Sequence, residues 1–120
     1  MARPRYPHKV LIVADDEELR SVLSAYLVTR RFDVFAVRSG LEALLQLERE
    51  RPGIVVLDLG MPRLNGIEAL KRIRSFDPMI RVVVVIGSTD AGLQQEALKL
   101  SAASILTKPV RLSDLDDAIG

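Results

Sequence analysis

Asp58 closes the run Ile54-Val55-Val56-Leu57 just ahead of Leu59-Gly60-Met61-Pro62, so a carboxylate stands where a β-branched stretch gives way to a turn. Runs of this kind, bounded by Gly or Pro, read as strands buried on both faces of a parallel sheet. Open α/β sheets bind ligands at the carboxyl ends of such strands. A second acidic group, Asp15-Asp16-Glu17-Glu18, follows another apolar run, Val10 to Ala14. Carboxylates brought together repel, each raising the pKa of the next unless a cation offsets the charge, and Mg²⁺ is a hard cation suited to oxygen ligands. Lys108-Pro109, after a third apolar stretch, offers a fixed positive charge. Two acidic strand ends and one lysine strand end describe a site that handles a phosphoryl group.

Each of these residues also has a plainer reading. Asp58 alone would cap the following turn through its backbone amides, and Lys108 alone would be a solvated charge. An acidic first turn is favoured by the helix dipole, and for Glu17 and Glu18 that reading is preferred. The basic arm with Arg3, Arg5 and Lys9 reads as a disordered tail.

The rest of the composition narrows the chemistry. With 120 residues there is room for one domain, which buries roughly two thirds of the surface of its unfolded chain. No cysteine is present, which excludes thiolate catalysis, disulfides and Cys-ligated metals, and the single histidine, His8, cannot build a triad. A net charge of +1 gives no general drive toward nucleic acid or anionic membrane. No signal peptide or membrane-spanning run is visible, so a cytoplasmic domain is expected.

Positioning these groups requires alternating strands and helices. Strand one is expected over Lys9 to Ala14, after a flexible arm of residues 1–8, with the domain occupying 9–120. A helix follows with Leu19, Val22, Leu23, Tyr26 and Leu27 on its inner face, capped by Asp15 or Asp16. Asp33 to Val37 is strand two. Ser39-Gly40-Leu41-Glu42 has the spacing of a capping box, and Leu41, Leu44 and Leu45 mark the second helix. Strand three covers Ile54 to Leu57, and a third helix from Asn65 turns Ile67, Leu70 and Ile73 inward. Arg81 to Ile86 is a central strand on β-branched content, and Ala91 to Leu100 is a weaker helix with Leu93, Ala97 and Leu100 inward. Ala103 to Thr107 is strand five. A short last helix opens at Leu112-Ser113 and runs out at Ile119-Gly120, as if truncated. This alternation predicts an α/β fold, a parallel sheet covered on both faces.

The joint pattern resembles the receiver domain of bacterial two-component response regulators from about Val10 to Leu115. The segments that carry it are the acidic end of strand one with Glu18-Leu19-Arg20, then Val56 through Gly66, and Ile105-Leu106-Thr107-Lys108-Pro109. The resemblance implies a flavodoxin-like fold of strand order 2-1-3-4-5 with five helices. It implies that Asp58 accepts a phosphoryl group from a histidine kinase or phosphotransfer protein, with Mg²⁺ as cofactor. Asp15, Asp58 and the Gly60 carbonyl would hold the metal, Lys108 would pair with the phosphoryl oxygen, and Pro109 would follow a cis peptide bond. The domain would act as a switch for an output domain or partner protein, catalysing only its own phosphorylation and dephosphorylation. No direct contact with nucleic acid or membrane is implied, and homodimerisation is left open.

Three positions depart from the family pattern. Ala14 stands where the first acid of the pair is usual, although an alignment one residue shorter would make Asp15 and Asp16 the pair. Ile86 replaces a Thr or Ser that contacts the phosphoryl group, and Ser88 or Thr89 could substitute if Gly87 allows a bulge. Ile105 replaces a switching aromatic residue. A bond to a charged group contributes about 1.5–3 kcal/mol, against about 5.5 kcal/mol for a full swing between two states, so much of the usual lever is missing. The alternative reading is a pseudo-receiver, a binding module that acts without phosphorylation. An aspartyl phosphohydrolase ranks last, because its acid/base Asp would fall on Gly60.

Overall fold

A computed structural model describes residues 5–61, 66–87 and 91–120. The elements alternate: β1 (Tyr6–Val13), α1 (Glu17–Thr29), β2 (Asp33–Val37), α2 (Gly40–Glu50), β3 (Pro52–Asp58), α3 (Gly66–Phe76), β4 (Arg81–Ile86), α4 (Ala91–Lys99), β5 (Ser104–Thr107) and α5 (Leu112–Ile119). The five strands pair in parallel in the order β2-β1-β3-β4-β5, the flavodoxin-like arrangement. Parallel neighbours cannot be joined by hairpins, so helices make the crossovers and cover both faces of the sheet.

Side-chain alternation along the strands divides the core into two layers. Leu11, Val13, Val55, Leu57, Val84 and Ile86 belong to the layer completed by α2, α3 and α4. Val10, Ile12, Ile54, Val56, Val85 and Leu106 belong to the layer completed by Leu23 and Leu27 of α1 and Leu115 and Ala118 of α5. Each fully buried aliphatic side chain contributes about 1.5–3 kcal/mol of transfer free energy. One further step of the alternation carries Ala14, Asp58 and Lys108 to the α1/α5 side at the carboxyl ends of β1, β3 and β5. The fold thereby aims three distant positions at one rim.

Helix starts follow the expected chemistry. Asp16 caps α1, accepting from the backbone N–H groups of Glu18 at 2.9 Å and Leu19 at 3.3 Å. Ser39 Oγ accepts from Glu42 N–H at 3.2 Å, and Glu42 Oε2 reaches back to the N–H of Arg38, also at 3.2 Å. The expected start of α3 at Asn65 lies outside the described residues.

Several expectations are corrected. β1 begins at Tyr6 rather than Lys9, so Tyr6, Pro7 and His8 belong to the sheet and not to an arm. Tyr6 donates its N–H to the Arg51 carbonyl at 2.8 Å. Gly53 permits this close approach, since a Cβ there would stand 2.8 Å from the Cα of Pro7. On α2 the buried residues are Gly40, Ala43 and Leu47, whereas Leu41 and Leu45 are 66% and 59% exposed. The helix is rotated so that its smaller residues meet the sheet and Leu44 is half-buried. Val22 on α1 is likewise turned outward, 48% exposed. On α4 only Ala97 is fully buried, and Leu93 and Leu100 are half-buried.

Polar ties join the helices at other points. Tyr26 of α1 donates its hydroxyl to Asp116 Oδ2 of α5, and Arg30 Nε lies 3.2 Å from Asp116 Oδ1. That hydrogen bond, with smaller effects of burial and the Asp116 charge, raises the Tyr26 pKa above its usual value, while Arg30 opposes the rise. No helix among the described residues is long and apolar enough to cross a membrane.

Candidate functional site

Among the described residues Asp58 is the one buried charged side chain, 2% exposed. A carboxylate in such a place must be paired or hydrogen-bonded. Its Oδ1 accepts the Gly60 N–H at 2.8 Å, and its Oδ2 accepts Lys108 Nζ at 3.0 Å. The lysine stem spans β4, which lies between β3 and β5 in the sheet. Its backbone is fixed by donation of the Lys108 N–H to the Ile86 carbonyl at 2.8 Å, and the Lys108–Pro109 peptide bond is cis. A Cβ at residue 60 would lie 3.2 Å from Asp58 Oδ1, a tight contact, and 3.7 Å from Lys108 Nζ, so the glycine leaves the carboxylate uncrowded. Asp58, Gly60 and Lys108 therefore converge as the sequence pattern predicts.

The acidic end of β1 divides its work. Asp16 is committed through Oδ1 to the α1 cap, and Asp15 is exposed on the same loop. Ala14 is buried, donates its N–H to the Val37 carbonyl at 3.1 Å and brings no carboxylate. Its own carbonyl accepts Arg20 Nη1 at 2.7 Å, a contact that sequence reasoning missed. Among the described residues no three His, Asp or Glu groups gather as a ready metal cage.

Ile86 is 3% exposed and packs in the α2–α4 layer of the core. Ile105, in register with Val84, is half-buried against the same layer. Neither offers a hydroxyl or a rotating ring. Ser88 and Thr89, the proposed substitutes, lie outside the described residues. A cleft of about 330 Å³ beside Lys108 is lined by Asp16, Leu19, Val22, Pro109 and Val110, so it opens between α1 and the β5–α5 turn. A larger one of about 620 Å³ follows the edge of β5 and α5 and does not include Asp58.

A doubly wound parallel sheet with a buried, lysine-paired aspartate at its carboxyl rim is the construction of a receiver. The chain belongs to the response regulator receiver domain family, whose family model matches residues 10–120, and so to the proteins of two-component signal transduction. It is 33% identical over 111 residues to the sporulation initiation phosphotransferase F of Bacillus subtilis, covering 92% of this chain and 90% of that one. Similarity to the chemotaxis protein CheY of Listeria monocytogenes is 31% over 112 residues, covering 92% and 94%. The crystal structure of a response regulator receiver protein from Pseudomonas putida superposes with a TM-score of 0.87 at 29% identity, covering 98% of both chains.

Proposed function

We propose that Asp58 is the phosphoacceptor of a two-component signalling switch. The observation that carries this reading is the 3.0 Å contact between Lys108 Nζ and a carboxylate that is 2% exposed. A carboxylate oxygen of Asp58 attacks the phosphorus of a phosphohistidine in line. The new O–P bond forms as the P–N bond breaks, and the imidazole leaves with the bonding pair. Gly60 N–H and Lys108 hold the carboxylate for attack, and the ammonium then offsets charge on the transferred group. Positioning and charge neutralisation supply most of the rate. In this reading the domain is a phosphoacceptor switch that catalyses only its own phosphorylation and dephosphorylation.

The donor set suits Mg²⁺, which binds hard oxygens through one or two carboxylates plus phosphate and waters. Asp15, Asp58 and the Gly60 carbonyl would hold it, with Asp16 turned to the helix cap. When bound, the ion would neutralise charge on the phosphoryl oxygens. A site with Ala14 in place of a second acid depends on the phosphoryl group itself for much of the coordination.

The donor is a histidine kinase or phosphotransfer protein, and the recipient of the signal is an output domain or partner protein. Such a switch works in the cytoplasm, with the described chain acting as one receiver unit. Intact-mass measurement after incubation with acetyl phosphate and Mg²⁺ tests the assignment. Wild type gains one phosphoryl group and Asp58→Asn gains none. Equal gain in both would place the acceptor elsewhere, and no gain in either would leave a binding module that acts without phosphorylation.

A further inference from the structure

α2 turns its leucines Leu41 and Leu45 away from the sheet, while Gly40, Ala43 and Leu47 meet the core. A single exposed leucine is ordinary on a protein surface. These two lie one helical turn apart, and among the described residues they are the one pair of exposed large hydrophobics at that spacing within a helix. Half-buried Leu44 continues the apolar surface toward α3. There it lines a cleft of about 540 Å³ together with Glu48, Lys71 and Phe76.

Successive helical residues are turned by about 100°, which fixes the order of side chains across the outer face of α2. Leu45 stands at its middle. Leu41, Leu44 and Glu48 lie on the side toward α3, and Glu42 and Arg49, two turns apart, share the other side. Glu42 gives Oε2 to the Arg38 N–H, and Arg49 makes no ion pair among the described residues. A negative and a positive charge thus stand on the same edge of one apolar face, one in its first turn and one in its last. That pattern is self-complementary: a two-fold axis crossing the helix between Leu45 and Gln46 places a second α2 antiparallel to the first, so that each Glu42 faces the other copy's Arg49.

We propose that the outer face of α2 is a docking surface for a second copy of this chain, the two α2 helices packing antiparallel about a two-fold axis. The Leu45 side chains meet near the axis, the Glu42–Arg49 pair forms twice, and each Leu41 reaches the end of the other copy's cleft, where Phe76 supplies an apolar wall. A parallel pairing would set Leu41 against the other copy's Glu42 and align the two helix dipoles, which repel. One helix face with its flanking cleft is smaller than the roughly 1,200–2,000 Å² of a standard stable interface, so the dimer is reversible and its population follows concentration. α2 packs on the sheet face opposite α1 and α5, and the pairing leaves that opposite side uncovered. It does not depend on Asp58 taking a phosphoryl group.

Sedimentation velocity on the intact chain, run over a wide range of concentration, tests the pairing. Wild type moves from monomer toward dimer as concentration rises. Leu45→Gln, Arg49→Glu and Glu42→Arg each weaken self-association by roughly tenfold or more, with circular dichroism confirming that each is folded. Alone, the two charge variants oppose like charges across the axis. Mixed together they form a heterodimer with two opposite-charge pairs, and association returns to near the wild-type level. Where Glu42→Arg does not fold for want of its cap, Glu42→Gln keeps the cap and still weakens the wild-type dimer. A wild type that stays monomeric throughout overturns the proposal, and so does a dimer that Leu45→Gln leaves intact, which would be built on another face. Failure of the mixed variants to associate, or a Glu42→Arg chain that pairs as well as wild type, overturns the antiparallel arrangement.

Discussion

Lys108 and Asp58 are unequal partners, the lysine side chain 39% exposed and the aspartate 2%. Removing the exposed partner strands the buried one. Lys108→Met should therefore lower stability by about 1–2 kcal/mol, less than the 3–5 kcal/mol of a fully buried pair because water reaches the ammonium. In an Asp58→Asn background the same change should cost less, and urea unfolding of the four proteins in a double-mutant cycle measures the difference. Equal costs in both backgrounds would mean that the contact carries no energy. Ala14 sits one alternation step beyond Ile12, on the Asp58 side of the sheet. Ala14→Asp should tighten Mg²⁺ binding by roughly tenfold, since affinity for hard cations follows ligand charge, and should lower stability without metal because the two acids repel. Calorimetric titration with Mg²⁺ and melting in EDTA read the two effects, and an unchanged affinity would separate residue 14 from the metal site.

The tie between α1 and α5 has its own pH dependence. The Tyr26 pKa is raised in the folded protein, chiefly by its hydrogen bond to Asp116. Its contribution is therefore complete below the unfolded tyrosine value of about 10 and disappears as pH rises through the folded value. Thermal melts should show wild type losing stability more steeply above pH 10 than Tyr26→Phe, with the two curves converging at high pH. Parallel curves would leave the hydroxyl without a role. On α2, Leu41→Gln and Leu45→Gln should each change stability by no more than about 0.5 kcal/mol, whereas Leu47→Ala should cost about 2–5 kcal/mol. Chemical denaturation checks the contrast. This helix also marks where pattern reading fails. Leu41, Leu44 and Leu45 have a plausible helical spacing, but Gly40, Ala43 and Leu47 share an adjacent stripe whose smaller volumes fit the sheet. Hydrophobicity alone does not say which of two overlapping stripes packs. Strand faces were easier, because period two allows one choice of partner for each residue.

The pairing of Asp58 with Lys108 was legible for a related reason: both end strands whose apolar runs set their faces, and the sheet order then brings them together. Arg74 and Arg20 were not, since their partners are main-chain carbonyls that leave no mark in side-chain pattern. Several polar ties gather at one end of the sheet. Arg5 pairs with Asp77 at 3.2 Å, Lys9 with Glu50 at 3.1 Å, and Arg51 stacks 4.9 Å from the Phe76 ring, all at the amino ends of the strands. Arg81 Nη1 holds the Ala118 carbonyl of α5 at 3.0 Å in the same region. At the opposite rim Lys108 ties to Asp58 across the strands. A cleft of about 520 Å³ at the tied end brings Arg5 and Pro7 together with Ile119. Residues 5 and 119 are thus neighbours in space, on the pole away from the aspartate. Anything fastened near either residue, a dye, a bead or another folded body, hangs from the far side and leaves the rim that carries Asp58 and Lys108 uncovered.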